Sequence, residues 1–226
     1  MGSEMCIRDR AQTDRGTMRV DLENGLTLFP LHLKSNRVGQ CSDLARAGSA
    51  LRAAGIDVPA EVQAAFDNGF AKATKTRLSN AAKRERVMAA TIVVAEDAVA
   101  DGRTVVIAGD LNTAFETGKS GADLSSDCKL SDFSCAKAPF PEAARSGSDG
   151  FDDTLGMLEA GLVGDTKWTV LSKGLPRTYD DPAFANAAID HIVVPVADSD
   201  RFSTAIRASE TYGSDHYPIA TTAQID

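Results

Sequence analysis

The sequence predicts a mixed α/β fold in a single domain, and three observations support this prediction. Short apolar runs rich in β-branched residues alternate along the chain with longer segments of helical periodicity. Many of these segments end at glycines or at Asn-Gly and Asp-Gly pairs, which are typical of turns. The chain has 226 residues, of which 43% are hydrophobic, and this is enough for one sizeable core.

The N-terminal part of the chain predicts two paired strands. Apolar-rich runs at 18–22 and 26–33 flank the turn sequence Glu23-Asn24-Gly25. Asn-Gly between two such runs is a strong hairpin signal, so we expect these strands to lie side by side.

Two shorter helices are expected next. The first covers residues 41–54 and is closed by Gly55, because glycine readily adopts the left-handed conformation that ends a helix. The second covers residues 59–70 and begins with Pro59, a residue that is favoured in the first helical turn.

A separate long helix is expected from the mid-70s to Ala100, where Asp101-Gly102 ends it. We expect Lys83, Arg84 and Arg86 to be solvated, because the apolar residues of this helix share one face. That face consists of Leu78, Ala82, Met88, Ile92, Ala95 and Val99.

The second half of the chain predicts one buried strand, a long loop and a series of further elements. The run at 105–108 is short, apolar and β-branched, whereas residues 113–150 are rich in Gly, Ser, Asp and Lys. A loop of that length is usually functional or mobile. The later predictions are a helix at 154–160, stopped by Gly161, and strands at 166–171, 189–194, 202–208 and 218–222.

Charge and hydropathy limit the function classes. The net charge is −8 and the isoelectric point is near 4.9, and no basic stripe exists that could bind nucleic acid by phosphate neutralisation alone. A bound cation would have to offset much of the repulsion between this chain and a phosphate ester. No apolar stretch is long enough to span a membrane.

Residues 1–10 have neither a helical nor a strand pattern, and we expect them to be an artefactual leader. The rest of the chain, 11–226, begins as interior strand material, so the compartment stays open and a secreted or periplasmic protein is one alternative. Cys128 and Cys135 flank a polar segment, and a local disulfide or two reduced thiols are equally compatible with that spacing. No CxxC pair exists, which argues against a zinc site.

Gly109-Asp110-Leu111-Asn112 follows the strand at 105–108 and is the most informative motif. On an extended segment, Asp110 and Asn112 would point the same way, so that a carboxylate and an amide face one pocket. The alternative is a strand followed by an ordinary Asx turn.

The three histidines of the chain all lie beside a strand boundary and near a polar group. His32 lies at the end of the strand predicted at 26–33, and the other two belong to the pairs Asp190-His191 and Asp215-His216. A single histidine is more often structural than catalytic, but the combined set can perform metal-assisted hydrolysis of a phosphate ester. Oxygen-rich ligands favour Mg²⁺ or Mn²⁺ over zinc.

Four motifs in this order resemble the endonuclease/exonuclease/phosphatase superfamily, which includes pancreatic-type deoxyribonucleases, apurinic endonucleases, bacterial sphingomyelinases and inositol polyphosphate 5-phosphatases. The motifs are His32-Leu33-Lys34-Ser35, Gly109-Asp110-Leu111-Asn112, Ile189-Asp190-His191-Ile192 and Ser214-Asp215-His216-Tyr217-Pro218. The resemblance extends from about Thr13 to the last residue. It implies a four-layer α/β sandwich of two packed, mostly antiparallel sheets flanked by helices.

The resemblance also implies roles for the polar residues. Asp110 would orient or deprotonate the attacking water, and Asn112 would donate a hydrogen bond to the scissile phosphate. His216 would be the catalytic histidine at the phosphate, with Asp190 holding it in one tautomer.

Further residues would bind the substrate and the metal. His32 matches a second phosphate-contacting histidine of the deoxyribonuclease-like branch, and Arg15 matches an arginine that approaches the substrate there. Asp215 would contribute to a site for Mg²⁺ or Mn²⁺, and His191 would be structural.

The sequence departs from the family pattern before His32. The family begins with strands that carry an Asn and a metal-binding Glu in a Gln-Glu context, and neither occurs here. We therefore expect 11–226 to be the C-terminal two-thirds of one such domain, without its N-terminal strands. Loss of a metal ligand or of its supporting partner weakens affinity or activity by about 10–100-fold, so we expect impaired activity.

Three functions stay open. The sequence favours a nuclease-like phosphodiesterase, a monomer that acts on DNA or RNA. A sphingomyelinase- or inositol-phosphatase-type enzyme would use the same catalytic residues. The third alternative is a non-catalytic sandwich domain, although the retention of Asp110, Asn112, Asp190, Asp215 and His216 argues against it.

Overall fold

The structure, a computed structural model, describes residues 17–35, 47–48, 50–52, 54–113, 154–159, 161, 163–180 and 188–225. The expected leader, Arg15, most of the predicted loop at 113–150 and the two cysteines Cys128 and Cys135 lie outside the described residues. So does much of the helix predicted at 41–54, of which residues 47–48 and 50–52 are helical.

Seven strands and two α-helices lie wholly within the described part of the chain. They are β1 (Val20–Asp21), β2 (Leu26–His32), α1 (Ala60–Ala100), β3 (Thr104–Asp110), α2 (Thr154–Glu159), β4 (Trp168–Val170), β5 (Asp190–Pro195), β6 (Ile206–Arg207) and β7 (Ile219–Ala220). A 3₁₀ helix, Val196–Arg201, follows β5. None of these helices is both long enough and apolar enough to cross a membrane.

The strands form two sheets. The larger has the order β1-β2-β3-β5-β4, and the smaller pairs β6 with β7. Only β2 and β3 are parallel; β1 with β2, β3 with β5, β4 with β5 and β6 with β7 are antiparallel. The predicted mixed α/β fold with two mostly antiparallel sheets is therefore confirmed, and so is the hairpin through Gly25, whose φ of 83° only glycine adopts readily.

Alternating residues of the large sheet pack against different layers, as the two-residue period of a strand requires. One face meets α1 and α2, and this core includes Phe29, Leu31, Val105, Ile107, Val193, Met88, Ile92 and Leu155. The opposite face carries a second core, in which Leu26, Leu28, Val106, Ala108, Ile192 and Val194 meet Phe202, Ala205 and Ile219 of the segment that forms the small sheet. The large sheet thus lies between a helical layer and the small sheet.

The prediction of two separate helices at 59–70 and from the mid-70s was wrong, because α1 is continuous over 41 residues. The residues between the two predicted helices include neither glycine nor proline, and Gly69, inside the first of them, costs a helix only about 1 kcal/mol. The helix ends as predicted, at Asp101-Gly102, and Gly102 has a φ of 74°.

The prediction that Arg84 is solvated was also wrong. Arg84 is fully buried, whereas Lys83 is half-buried and Arg86 is exposed. The reason lies in the chain after β2, which passes α1 here: Nη1 of Arg84 donates a hydrogen bond to the carbonyl of Lys34 at 2.7 Å. Helix α1 therefore supplies polar contacts that hold the end of β2, and not only an apolar face.

Candidate active site

The predicted polar residues come together at one end of the large sheet. His32 is the parallel register partner of Asp110, and Asp110 is the antiparallel partner of Asp190. Each of the three residues is an even number of positions along its strand from residues that face the small sheet, so all three belong to that face. Three neighbouring strands therefore present an imidazole and two carboxylates side by side.

Asp110 lies at the centre of this group. Its Oδ2 is 3.5 Å from Nε2 of His32 and 4.0 Å from Nε2 of His216. The side chain of Asp110 is 16% exposed, whereas that of His32 is 67% exposed. The carboxylate is thus recessed between two imidazoles, one of which is open to solvent.

His216 is oriented by Asp190. Nδ1 of His216 lies 2.8 Å from Oδ2 of Asp190, and because a carboxylate only accepts, the proton is on Nδ1. The Tyr179 ring packs edge-on against the imidazole with a centroid distance of 5.1 Å. Nε2 is consequently left facing Asp110.

The electrostatics of the site shift two of its pKa values upward. Burial raises the pKa of the Asp110 carboxyl, and the neighbouring charge of Asp190 raises it further. Burial alone would lower the pKa of His216, but the hydrogen bond and charge of Asp190, with the charges of Asp110 and Asp215, outweigh it and raise that pKa. Asp110 is therefore a stronger base than an exposed aspartate, and His216 keeps its proton to a higher pH than an isolated histidine.

Asn112 does not continue the strand, contrary to the extended geometry expected from the sequence. Its φ is 52°, and its backbone N–H donates to Oδ1 of Asp110 at 2.8 Å, which is the Asx turn considered as the alternative. Its side-chain amide donates to Oδ2 of Asp110 at 2.7 Å and to the carbonyl of Leu33 at 3.1 Å. The turn thus places Asn112 in the site, where both of its amide hydrogens hold Asp110 and the end of β2.

Gly109 permits the close approach of β2 and β3 at the site. Its φ is 138°, a region that side-chain-bearing residues rarely adopt, and a Cβ at this position would collide with the carbonyl oxygen of Leu31. A larger residue would separate the strands next to the His32–Asp110 pair.

Thr178 is a positioning residue that the sequence did not single out. It is fully buried, and its hydroxyl accepts the backbone N–H groups of Ile189 and Asp190 at 3.0 and 3.1 Å. Its carbonyl accepts the N–H of Tyr217 at 2.7 Å. One threonine therefore links the segments that carry Asp190 and His216, and no local pattern in the sequence marks it.

His191 faces the opposite side of the sheet and is buried, which agrees with its expected structural character. Nε2 lies 2.9 Å from the carbonyl of Thr113, so it must donate, and Nδ1 then accepts from the Ser172 hydroxyl at 2.9 Å. Burial lowers the pKa of His191 to about 4, and the histidine is neutral at physiological pH. It fastens the chain just beyond the Asp110–Asn112 turn.

The described residues do not provide the expected metal site. Asp215 is exposed, and Asp110 and Asp190 face histidines. Within the described ranges, no group of three or more His, Cys, Asp and Glu side chains could hold a metal ion. These residues by themselves therefore do not fit Mg²⁺ or Mn²⁺.

No protein-family model matches the sequence, and no curated protein matches it. Among solved structures, the chain is similar to a 3'-5' exonuclease (NExo) from Neisseria meningitidis, with a TM-score of 0.46 and 15% sequence identity. The match covers 97% of this chain and 70% of that chain. A likeness of this size does not place the chain in a family, and the site residues remain the basis for inferring its chemistry.

Proposed function

We propose that the protein is a phosphoric-ester hydrolase of the endonuclease/exonuclease/phosphatase type, and specifically a nuclease-like phosphodiesterase. One observation carries the proposal: the Nε2 atoms of His32 and His216 both face Oδ2 of Asp110, and Asp190 fixes the tautomer of His216. A base flanked by two hydrogen-bond donors is suited to attack of water on a phosphate, because water loses a proton while the phosphate oxygens gain charge.

Each side chain has a separate part in this proposal. Asp110 accepts a proton from the attacking water, a task for which its raised pKa makes it a better base. The water oxygen bonds to phosphorus, the P–O bond to the leaving group breaks, and the leaving oxygen takes a proton from solvent. His216 donates a hydrogen bond from Nε2 to a phosphate oxygen, while Asp190 holds the ring. His32, which is largely exposed, is the second donor to the phosphate. Asn112 positions Asp110 through the two hydrogen bonds of the turn. Its predicted hydrogen bond to the phosphate would require one amide hydrogen to leave Asp110 or Leu33.

Dependence on Mg²⁺ or Mn²⁺ stays a prediction from the family resemblance. Because the described residues do not fit a metal site, no step of the proposed chemistry is assigned to a cation here. The contribution of Asp215 to metal binding and that of Arg15 to substrate binding are likewise predictions from the family resemblance alone.

The 226-residue protein is to be assayed on an end-labelled single-stranded DNA oligonucleotide, plasmid DNA, sphingomyelin vesicles and an inositol polyphosphate, each with Mg²⁺, Mn²⁺ or EDTA. We expect cleavage of DNA, detected with end-labelled product and long incubation because the resemblance predicts reduced turnover. His216→Ala should lower the rate by about 10²–10⁴-fold, the usual contribution of a positioned acid–base group. Arg86→Gln, an exposed change on α1, is the control and should have no effect.

The proposal is overturned if no substrate is cleaved, or if the His216→Ala preparation is as active as the wild type. Faster hydrolysis of sphingomyelin or the inositol polyphosphate than of DNA would keep the hydrolase and reject the nuclease.

A further inference from the structure

We propose that the surface beside His216 binds a single strand of nucleic acid, with bases stacked on tyrosines and phosphates paired with arginine. This Tyr-Arg surface consists of Arg177, Tyr179, Arg207, Tyr212 and Tyr217. The proposal rests on the proposed function, since it names the substrate class of that same site.

The tyrosines of the chain are concentrated around the proposed catalytic histidine. The sequence contains three tyrosines, and each lies in a segment that flanks His216. Tyr179 packs edge-on against the His216 ring and Tyr217 follows it in the chain. Tyr212, in the turn just before His216, is 77% exposed. An exposed aromatic ring near a hydrolytic site is a stacking platform for an unpaired base.

Arg207 supplies the positive charge of this surface. Its guanidinium carbon lies 4.1 Å from the centroid of the Tyr217 ring, a cation–π contact. Its buried Nε has no hydrogen-bond partner, and the guanidinium forms no ion pair with any residue that the structure describes. A cation that has no counter-charge among the described residues, in a chain of net charge −8, is suited to bind an anion from outside.

A hydrogen-bonded frame holds this surface in place. The Tyr217 hydroxyl donates to Oδ1 of Asp180 at 2.8 Å, and Arg177 contacts the same oxygen at 3.4 Å. The N–H of Asp180 donates to the carbonyl of Asp215 at 2.9 Å, which ties the frame to the segment of His216. Tyr217 and Arg177 therefore keep a fixed position relative to His216.

The chemistry of the surface favours a single strand over the other substrates. The phosphocholine headgroup of sphingomyelin is a zwitterion with one phosphate, and it has no flat base that could stack on Tyr212. A densely charged inositol phosphate would meet Asp110, Asp180, Asp190 and Asp215 with few cations to compensate. The base faces of a duplex are already stacked, whereas a single strand offers flat bases and singly charged phosphates that match alternating tyrosine and arginine.

The test is the binding of a 5'-fluorescein oligothymidylate of about 12 nucleotides to the 226-residue chain, followed by anisotropy in EDTA. Tyr212→Ala should weaken binding by roughly 5- to 100-fold, the loss of one base stack. Arg207→Gln should weaken it and reduce the slope of log affinity against log salt by about 0.7, the contribution of one phosphate contact on a single strand. Arg86→Gln is the matched control and should bind like the wild type.

The proposal is overturned if the strand does not bind, or if both Tyr212→Ala and Arg207→Gln bind it as tightly as Arg86→Gln does. It is also overturned if an equal-length duplex, an inositol polyphosphate or choline-lipid vesicles compete better than the unlabelled strand. Tyr212 is so exposed that its replacement tests the surface even if Arg207→Gln does not fold. Binding measured in EDTA does not depend on turnover. If the strand does not bind but His216-dependent cleavage is intact, only the proposed binding surface is rejected. Normal binding without His216-dependent cleavage rejects only the proposed function.

Discussion

Acid pH should destabilise the fold through His191, the buried histidine of β5. Its neutral ring donates to the Thr113 carbonyl and accepts from the Ser172 hydroxyl, so it fastens the chain beyond the Asp110–Asn112 turn. Protonation would place a charge in a fully buried position. Acid is therefore expected to weaken the same segment that positions the proposed catalytic base.

The size of the effect follows from the pKa of His191, which burial lowers from 6.5 to about 4. Below pH 6.5 the unfolded chain binds a proton at this position, whereas the folded chain does not until the pH approaches 4. The stability that His191 contributes is thus fully present above pH 6.5 and falls as the pH decreases. One pKa unit corresponds to about 1.4 kcal/mol, so the loss reaches about 3 kcal/mol by pH 4.

Urea unfolding of the wild type and of His191→Gln between pH 8 and pH 4 measures this loss. The difference in free energy of unfolding between the two proteins should shift by about 3 kcal/mol across that range, in favour of the variant as the pH falls. Arg86→Gln, an exposed change that removes no group titrating between pH 8 and pH 4, is the control and should not show this shift. A wild-type-to-variant difference that stays constant from pH 8 to pH 4 would refute the reasoning.

Two further predictions concern the strand ends. Gly109→Ala should lower the free energy of unfolding in urea by about 1–3 kcal/mol, because the new Cβ would clash with the carbonyl oxygen of Leu31. Gly102→Ala, at a positive φ with open space around it, should cost less, and equal losses would contradict the close-approach argument. Asp190→Asn should lower the pKa of His216 in an NMR titration, because the carboxylate charge that stabilises the imidazolium is removed. An unchanged titration would show that Asp190 does not set that pKa.

Much of the site could be predicted because local patterns mark strand ends. Glycine after a β-branched run locates the end of β3, and the polar residues beside it locate the pocket. The common face of His32, Asp110 and Asp190 follows from two-residue alternation once the apolar faces of β2, β3 and β5 are known. The short strands β6 and β7 also fall inside the ranges predicted from the sequence, 202–208 and 218–222.

The remaining features depend on long-range contacts that no local pattern encodes. The helical pattern predicts a solvated Arg84, because it does not show that the chain after β2 brings the carbonyl of Lys34 into hydrogen-bonding distance of its guanidinium. Thr178 acts only because Ile189 and Asp190 present their N–H groups to it from the next strand. The left-handed conformation of Asn112 is stabilised in part by a hydrogen bond from its side-chain amide to the carbonyl of Leu33, which follows β2 and lies 79 positions earlier in the chain.

Replacement of Asp110 by its isosteric amide tests the central claim most directly. Asp110→Asn keeps the size of the side chain and removes the proton acceptor between His32 and His216. The measurement is the rate at which the 226-residue chain hydrolyses an end-labelled single-stranded DNA oligonucleotide. We predict a fall of about 10²–10⁴-fold with binding of the strand retained. Hydrolysis by Asp110→Asn at the wild-type rate would contradict the assignment of this pocket as the active site.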